Sequence, residues 1–233
     1  MKEMDAESDR ERHLRESGLD FFGKVTASAS HDLSNVLSTI GQFSGLLQDM
    51  ISGASEGTEV LNPVELRRVA EGIATHLQRG TVLTRRLNRF AHSPDRHVTR
   101  IDGIALVDAI VELARRLARL REIQLETDLS SGPIPLSADL FLLQQAIFLA
   151  VETAVLSSDP GGNVSVSAAA QGNEIHIAVS SRSPIGLDDF QERLSLLTLL
   201  LEASGGTAAS LSDDAGNHRL VMTMPLADQT GEK

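Results

Sequence analysis

The residues best placed to do chemistry lie close together, in the stretch Ser28-Ala-Ser-His-Asp-Leu-Ser-Asn-Val-Leu37. His31 is followed at once by Asp32 and, four positions on, by Asn35. A neutral imidazole offers a nucleophilic nitrogen. A carboxylate that accepts a hydrogen bond from one ring nitrogen fixes the tautomer. The other nitrogen then keeps its lone pair for attack on an electrophile. Asn35, one helical turn along, adds an amide able to hold an anion or a water. A helix turns about 100° per residue, so Asn35, Ser38 and Gln42 share the face of His31. That face is polar, which places the ring in water. The other histidines (His13, His76, His92, His97, His176 and His218) read as ordinary solvated surface residues.

The elements that must position these groups follow from periodicity. From Leu19 onward apolar residues recur at steps of three and four, including Phe22, Val25, Ala29, Val36, Leu37, Ile40 and Phe43. Ser52–Asn62 reads as a loop. A second helix then opens with Asn62 as N-cap, Pro63 at the first helical position and Glu65 completing a capping box. Its stripe runs from Leu66 to Phe90, and Ser93-Pro94-Asp95 ends it. Two long helices joined by a short loop form an antiparallel hairpin over 19–95. A lone hairpin leaves one apolar face bare, and a second copy would cover it in a dimeric four-helix bundle. Residues 1–18, dense in charge, read as an N-terminal tail or a helical extension without a buried face.

From about Val98 the pattern changes. Gly103–Arg121 is amphipathic, and Ile123-Gln-Leu-Glu-Thr is a short strand. Ser137–Ser157 is a mostly apolar helix starting at Ser137 or Asp139. Asn163–Ala170 and Glu174–Ser181 alternate around Gly172-Asn173, a hairpin signal. Asp188–Ser204 is helical and stops at Gly205-Gly206, and Thr207–Ser212 with His218–Pro225 closes the fold as another hairpin. The class is α+β: a helical hairpin, then an α/β sandwich over 98–226 with helices on one face of a mixed sheet, then a polar tail, 227–233.

Composition narrows the function. The 233 residues carry a formal net charge of −11, which argues against a general binder of nucleic acid or anionic membrane. Cysteine is absent, removing disulfides, thiolate metal sites and cysteine nucleophiles together. No stretch approaches 18 consecutive apolar residues, and the acidic, polar start is unlike a signal peptide. These features imply a cytoplasmic protein. No His/Asp/Glu cluster has metal-ligand spacing.

His31, Asp32 and Asn35, on the first helix of a helical hairpin, resemble the H-box of the dimerisation and phosphoacceptor (DHp) domain of sensor histidine kinases. There an acidic residue follows the His and an Asn or Thr stands four positions after it. The resemblance extends over most of residues 20–226. Phe141–Ala154 looks like the helix that opens the kinases' ATPase domain, of the Bergerat or GHKL fold. Leu200-Leu-Glu-Ala-Ser-Gly-Gly-Thr207 looks like its late helix, and Leu220–Leu226 like its last strand.

The nucleotide boxes of that family are missing. Thr153 stands where the resemblance calls for the Asn that holds Mg²⁺. Ser180-Ser-Arg-Ser-Pro-Ile-Gly186 replaces the Asp-x-Gly-x-Gly box, and no glycine occurs between Gly186 and Gly205. The expectation is therefore no ATP, no bound cofactor and no metal of its own. A phosphoacceptor hairpin with a degenerate ATPase-like domain resembles the dimeric histidine phosphotransferases of the ChpT and sporulation-relay types. These shuttle a phosphoryl group between the aspartates of response-regulator receiver domains, which supply Mg²⁺. The resemblance implies His31 as acceptor and donor, Asp32 as the group that polarises it, and Asn35 as the group that positions phosphoryl or water.

Between Pro63 and Arg100 there are eight arginines against three acidic residues. In an antiparallel hairpin the end of the second helix returns beside His31. Arg85, Arg86 and Arg89 are thus candidates, with Ser38 and Gln42, for holding a response regulator. The plainer alternative is a solvated helix face paired with the acidic second domain. Three other functions stand beside the transferase: a response-regulator phosphatase, a non-catalytic pseudo-kinase binding module and, less favoured, an active sensor kinase.

Overall fold

The computed structural model describes residues 2–57, 60–95, 98–182, 189–213 and 217–227. Seven strands and five helices follow in the order α1 (Lys2–Ser55), α2 (Pro63–Ala91), β1 (Thr99–Asp102), α3 (Gly103–Leu120), β2 (Gln124–Leu129), β3 (Pro135–Ala138), α4 (Leu140–Ser157), β4 (Asn163–Gln171), β5 (Glu174–Ser181), α5 (Phe190–Ala203), β6 (Thr207–Ser212) and β7 (His218–Pro225). The class is α+β, as the periodicities indicate. The chain divides into two compact units: Gly23–His92, the hairpin, and Met1–Phe22 with Ser93–Lys233.

In the second unit a five-stranded sheet has the order β2-β4-β5-β7-β6. Only the β2–β4 pair is parallel. Alternate residues of β4, β5 and β7 (Val164, Val166, Ile175, Ile177, Leu220, Met222, Met224) are buried on one face, against α3, α4 and α5. Gln171 and Glu174 close the β4–β5 hairpin across Gly172-Asn173, where Gly172 takes a φ of 64° that a side chain would resist. A two-stranded sheet, β1 with β3, was not foreseen. Asp102 anchors it, its carboxylate capping α3 at the Ile104 amide and accepting from the Ile134 amide at 3.1 Å. Ser137 and Ala138 therefore belong to β3, and α4 starts only at Leu140, capped by Asp139.

Helix α4 is buried without a break from Leu143 to Val155, as expected of a helix apolar all round. It is long and apolar enough to cross a membrane, yet it forms the centre of this core. Part of its cover comes from the start of α1, which up to Phe22 belongs to this unit. Phe21 packs on Phe141 and Phe148 with ring centroids 5.6 and 5.2 Å apart, Ser17 accepts a hydrogen bond from the Gln145 amide, and Arg10 pairs with Glu202 of α5. The small Gly18, beside the Phe141 ring, and the buried Phe21 make this close approach possible. Residues 9–17 are exposed apart from half-buried Leu14 and Ser17, and the buried contact is made by Gly18 and Phe21, more than a hundred residues from their partners in sequence.

In the hairpin unit Asn62 caps α2, but its side chain accepts from the Val64 amide and Glu65 does not reciprocate, so the expected box is half made. The two helices meet through small residues on α2. A Cβ added at Gly80 would stand 3.2 Å from Val36, and one at Gly72 would stand 2.6 Å from the Phe43 ring. Val25, Ala29, Val36, Val69 and Phe90 are its buried apolar residues.

Candidate functional site

The Val36–Gly80 and Phe43–Gly72 contacts set the antiparallel register of α1 against α2. Carried toward the start of α1, that register puts His31 level with residues 84 and 85, and Val25, buried, level with buried Phe90. The helical turn then sorts the remaining residues into two sides. On one side lie His31, Asn35, Ser38 and Gln42 of α1, all exposed, with Asp32 between them and the interior. On the same side of α2, about a quarter turn from its buried line, lie Arg86 and Arg79, with Arg89 further round. On the opposite side are Leu33, Leu37, Ile40 and Ile51 of α1 and Leu66, Ile73 and Leu77 of α2, with no charged residue among them.

This arrangement sorts the expected arginines. Arg85 is level with His31, but it points from the outer face of α2, nearly half a turn from the buried line, because 100° separates each residue from the next. Arg86 is the one turned to the His31 side. Arg79, which the sequence places only within a basic run, lies on that side too, level with residues 36 and 37. The signal that finds it is the register, and no local motif carries it. Arg79, Arg85, Arg86 and Arg89 are exposed, and among the described residues none has an ion-pair partner.

The His31 side chain is half exposed, at 51%. Its Nδ1 faces two neighbours: the Asn35 side-chain nitrogen at 3.2 Å and a carboxylate oxygen of Asp32 at 3.6 Å. Nε2 has no hydrogen-bond partner among the described residues. Both polar neighbours address the same nitrogen, so they favour different tautomers. A proton on Nδ1 donated to Asp32 leaves Nε2 bare and outward-facing, whereas an Asn35 N–H donated to Nδ1 requires the proton on Nε2. The ring can thus present a nucleophilic nitrogen or an N–H to whatever docks there. Thr39, next along this side, donates its hydroxyl to the Asn35 carbonyl.

In the second unit, the groups at the end of α4 are engaged within the chain. The Thr153 hydroxyl donates to the Leu149 carbonyl at 2.7 Å. Glu152, its side chain 8% exposed, accepts from Arg193 at 3.0 Å, and Arg193 also donates to Asp189 at 2.7 Å. Burial alone would lower the Arg193 pKa, but its hydrogen bonds to Asp189 and Glu152 and their charges outweigh that and raise it. Ser180 and Ser181 end β5. The segment Ser183-Pro-Ile-Gly186, where the expected glycine-box comparison falls, lies outside the described residues, as do Asp188, Arg96 and His97.

No family model matches the sequence, and no curated protein does. Among solved structures the chain is similar to the Acinetobacter baumannii histidine kinase AdeS, with 16% identity and a TM-score of 0.48 over 80% of this chain and 96% of that one. It is similar to the cytoplasmic segment of histidine kinase QseC, with 18% identity and a TM-score of 0.48 over 64% and 95%. A mycobacterial sensor histidine kinase, MprB, matches with 18% identity and a TM-score of 0.47 over 57% and 100%.

Proposed function

We propose that this protein is a histidine phosphotransferase of a two-component phosphorelay, passing a phosphoryl group between receiver-domain aspartates through His31 without using ATP. The observation that carries this reading is the exposed imidazole of His31, with Nδ1 beside Asn35 and Asp32 and Nε2 without a hydrogen-bond partner among the described residues, on the charged side of a hairpin whose opposite side carries no charge. The uncharged side, with Leu37 62% and Leu77 55% exposed, supports a homodimer.

In the forward step the Nε2 lone pair attacks the phosphorus of an aspartyl phosphate. The N–P bond forms as the acyl P–O bond breaks, and the carboxylate leaves with the electron pair. The ring becomes a cation with its proton still on Nδ1, where the Asp32 carboxylate stabilises it, and no proton need move. The reverse step delivers the group to a second aspartate. Such transfer passes through a loose transition state, so alignment and charge are what the protein supplies. Mg²⁺ belongs to the receiver. The commitment of Thr153 to Leu149 and of Glu152 to Arg193 supports a second unit that works without nucleotide.

The Asn35 contact favours one alternative, hydrolysis of the receiver's phosphate with Asn35 orienting water. One experiment separates the readings. Wild type and His31→Gln are offered phosphoramidate, then receiver domains already phosphorylated on Asp, then ATP with Mg²⁺, and phosphohistidine is read by mass spectrometry. Label from the first two donors, lost in the variant, supports the transferase. Receivers that lose phosphate while His31 gains none support the phosphatase. Label from ATP means a kinase. No effect on any donor leaves a binding module.

A further inference from the structure

We infer that Arg79 and Arg86 form a two-pronged cationic clamp for the acidic surface around the phosphorylated aspartate of the docking receiver. The inference rests on the phosphotransferase reading of His31 and adds the residues that hold the partner.

Arg79 and Arg86 are seven residues apart, two turns of α2, or about 10 Å along one stripe. In the hairpin register Arg86 is level with residues 29 and 30, and Arg79 with 36 and 37, so together they bracket His31 and Asn35. Both are exposed, and both lack an ion-pair partner among the described residues of a chain with net charge −11. Asp32 is the only acidic residue on α1 between Asp20 and Asp49, and it is turned toward the imidazole. Two guanidiniums left unpaired, flanking a nucleophile, favour a partner whose negative charge surrounds its reactive atom. Each can bind carboxylates or phosphoryl oxygens through a planar fork. A spacing of two turns matches a protein surface better than a single small anion.

The test uses the full chain and a panel of receiver domains phosphorylated on Asp, with rates read as phosphoryl appearing on His31. Arg79→Ser with Arg86→Ser should slow transfer about a hundredfold at low salt, roughly tenfold per charge. The deficit should shrink as ionic strength rises and screens the charges. Arg85→Ser removes the same charge at the same level from the outer face, and its loss should be far smaller. Labelling by phosphoramidate, which needs no docking surface, should change at most a few-fold in every variant, and circular dichroism should match wild type. A double variant that transfers as fast as wild type overturns the clamp while leaving the phosphotransferase standing. So does an Arg85→Ser loss equal to that of Arg86→Ser, because the effect then has no side. If neither phosphoramidate nor any receiver labels His31 in wild type, the reading of the site fails and the clamp fails with it.

Discussion

Asn35 and His31 meet through the ring nitrogen that Asp32 also faces: the Asn35 side-chain nitrogen stands 3.2 Å from Nδ1, and the Asp32 oxygen 3.6 Å. The two neighbours hold opposite tautomers, and only one leaves Nε2 nucleophilic. Asp32→Asn should therefore slow labelling of His31 by phosphoramidate by roughly tenfold, since a carboxylate 3.6 Å from the ring favours the imidazolium that forms by about 1–2 kcal/mol. Asn35→Ala removes the competitor and should leave labelling equal or faster. Rates from intact-mass spectrometry decide this, and equal losses in both variants would mean that the ring's orientation, and not its tautomer, is what the pair controls.

The uncharged side of the hairpin makes a prediction about assembly. Leu37→Asp and Leu77→Asp put charge where a second copy would bury a leucine from each protomer. Burial of a leucine is worth about 1.5–3 kcal/mol, and it is lost twice across a two-fold interface. Dimer dissociation constants should rise by about a hundredfold or more in analytical ultracentrifugation. Wild type that sediments as a monomer at micromolar concentration would remove the dimer from the proposal.

Glu152 joins α4 to α5 through Arg193. Glu152→Ala leaves the part-buried guanidinium with Asp189 alone, and losing a hydrogen bond between charged groups costs about 1.5–3 kcal/mol. Urea unfolding should show a midpoint shift of that order. Replacing both partners with leucine should cost less, since the one charge then left without Arg193 is that of Asp189, whose side chain is half exposed.

Gly72 faces the Phe43 ring, which is boxed in by His76 at a centroid distance of 6.0 Å. Alanine is the better helix former by about 1 kcal/mol. Here its methyl would meet the ring at 2.6 Å, and overpacking costs about 1–3 kcal/mol. Gly72→Ala should lower the melting temperature, and the same change in a Phe43→Leu background should raise it. Calorimetry of the two pairs reads the sign directly.

Much of this molecule is legible in the sequence because the deciding interactions are local. The strands β5, β6 and β7 run where two-residue alternation puts them, and α2 starts at Pro63 behind its Asn62 cap. His31, Asp32 and Asn35 share a turn of helix, so their proximity needs only the helical pitch. Tertiary structure decided the rest. β1 and β3 are four residues each, too short to show a period, and exist only because they pair with each other. Phe21 of α1 is buried because it meets Phe141 and Phe148, residues that no local pattern links to it. The choice of Arg79 and Arg86 over Arg85 depends on which line of α2 faces α1, and that line is set by where Val36 and Phe43 find a glycine opposite. Side-chain type and spacing determine which groups can react. Packing across distant segments determines which of them share a side.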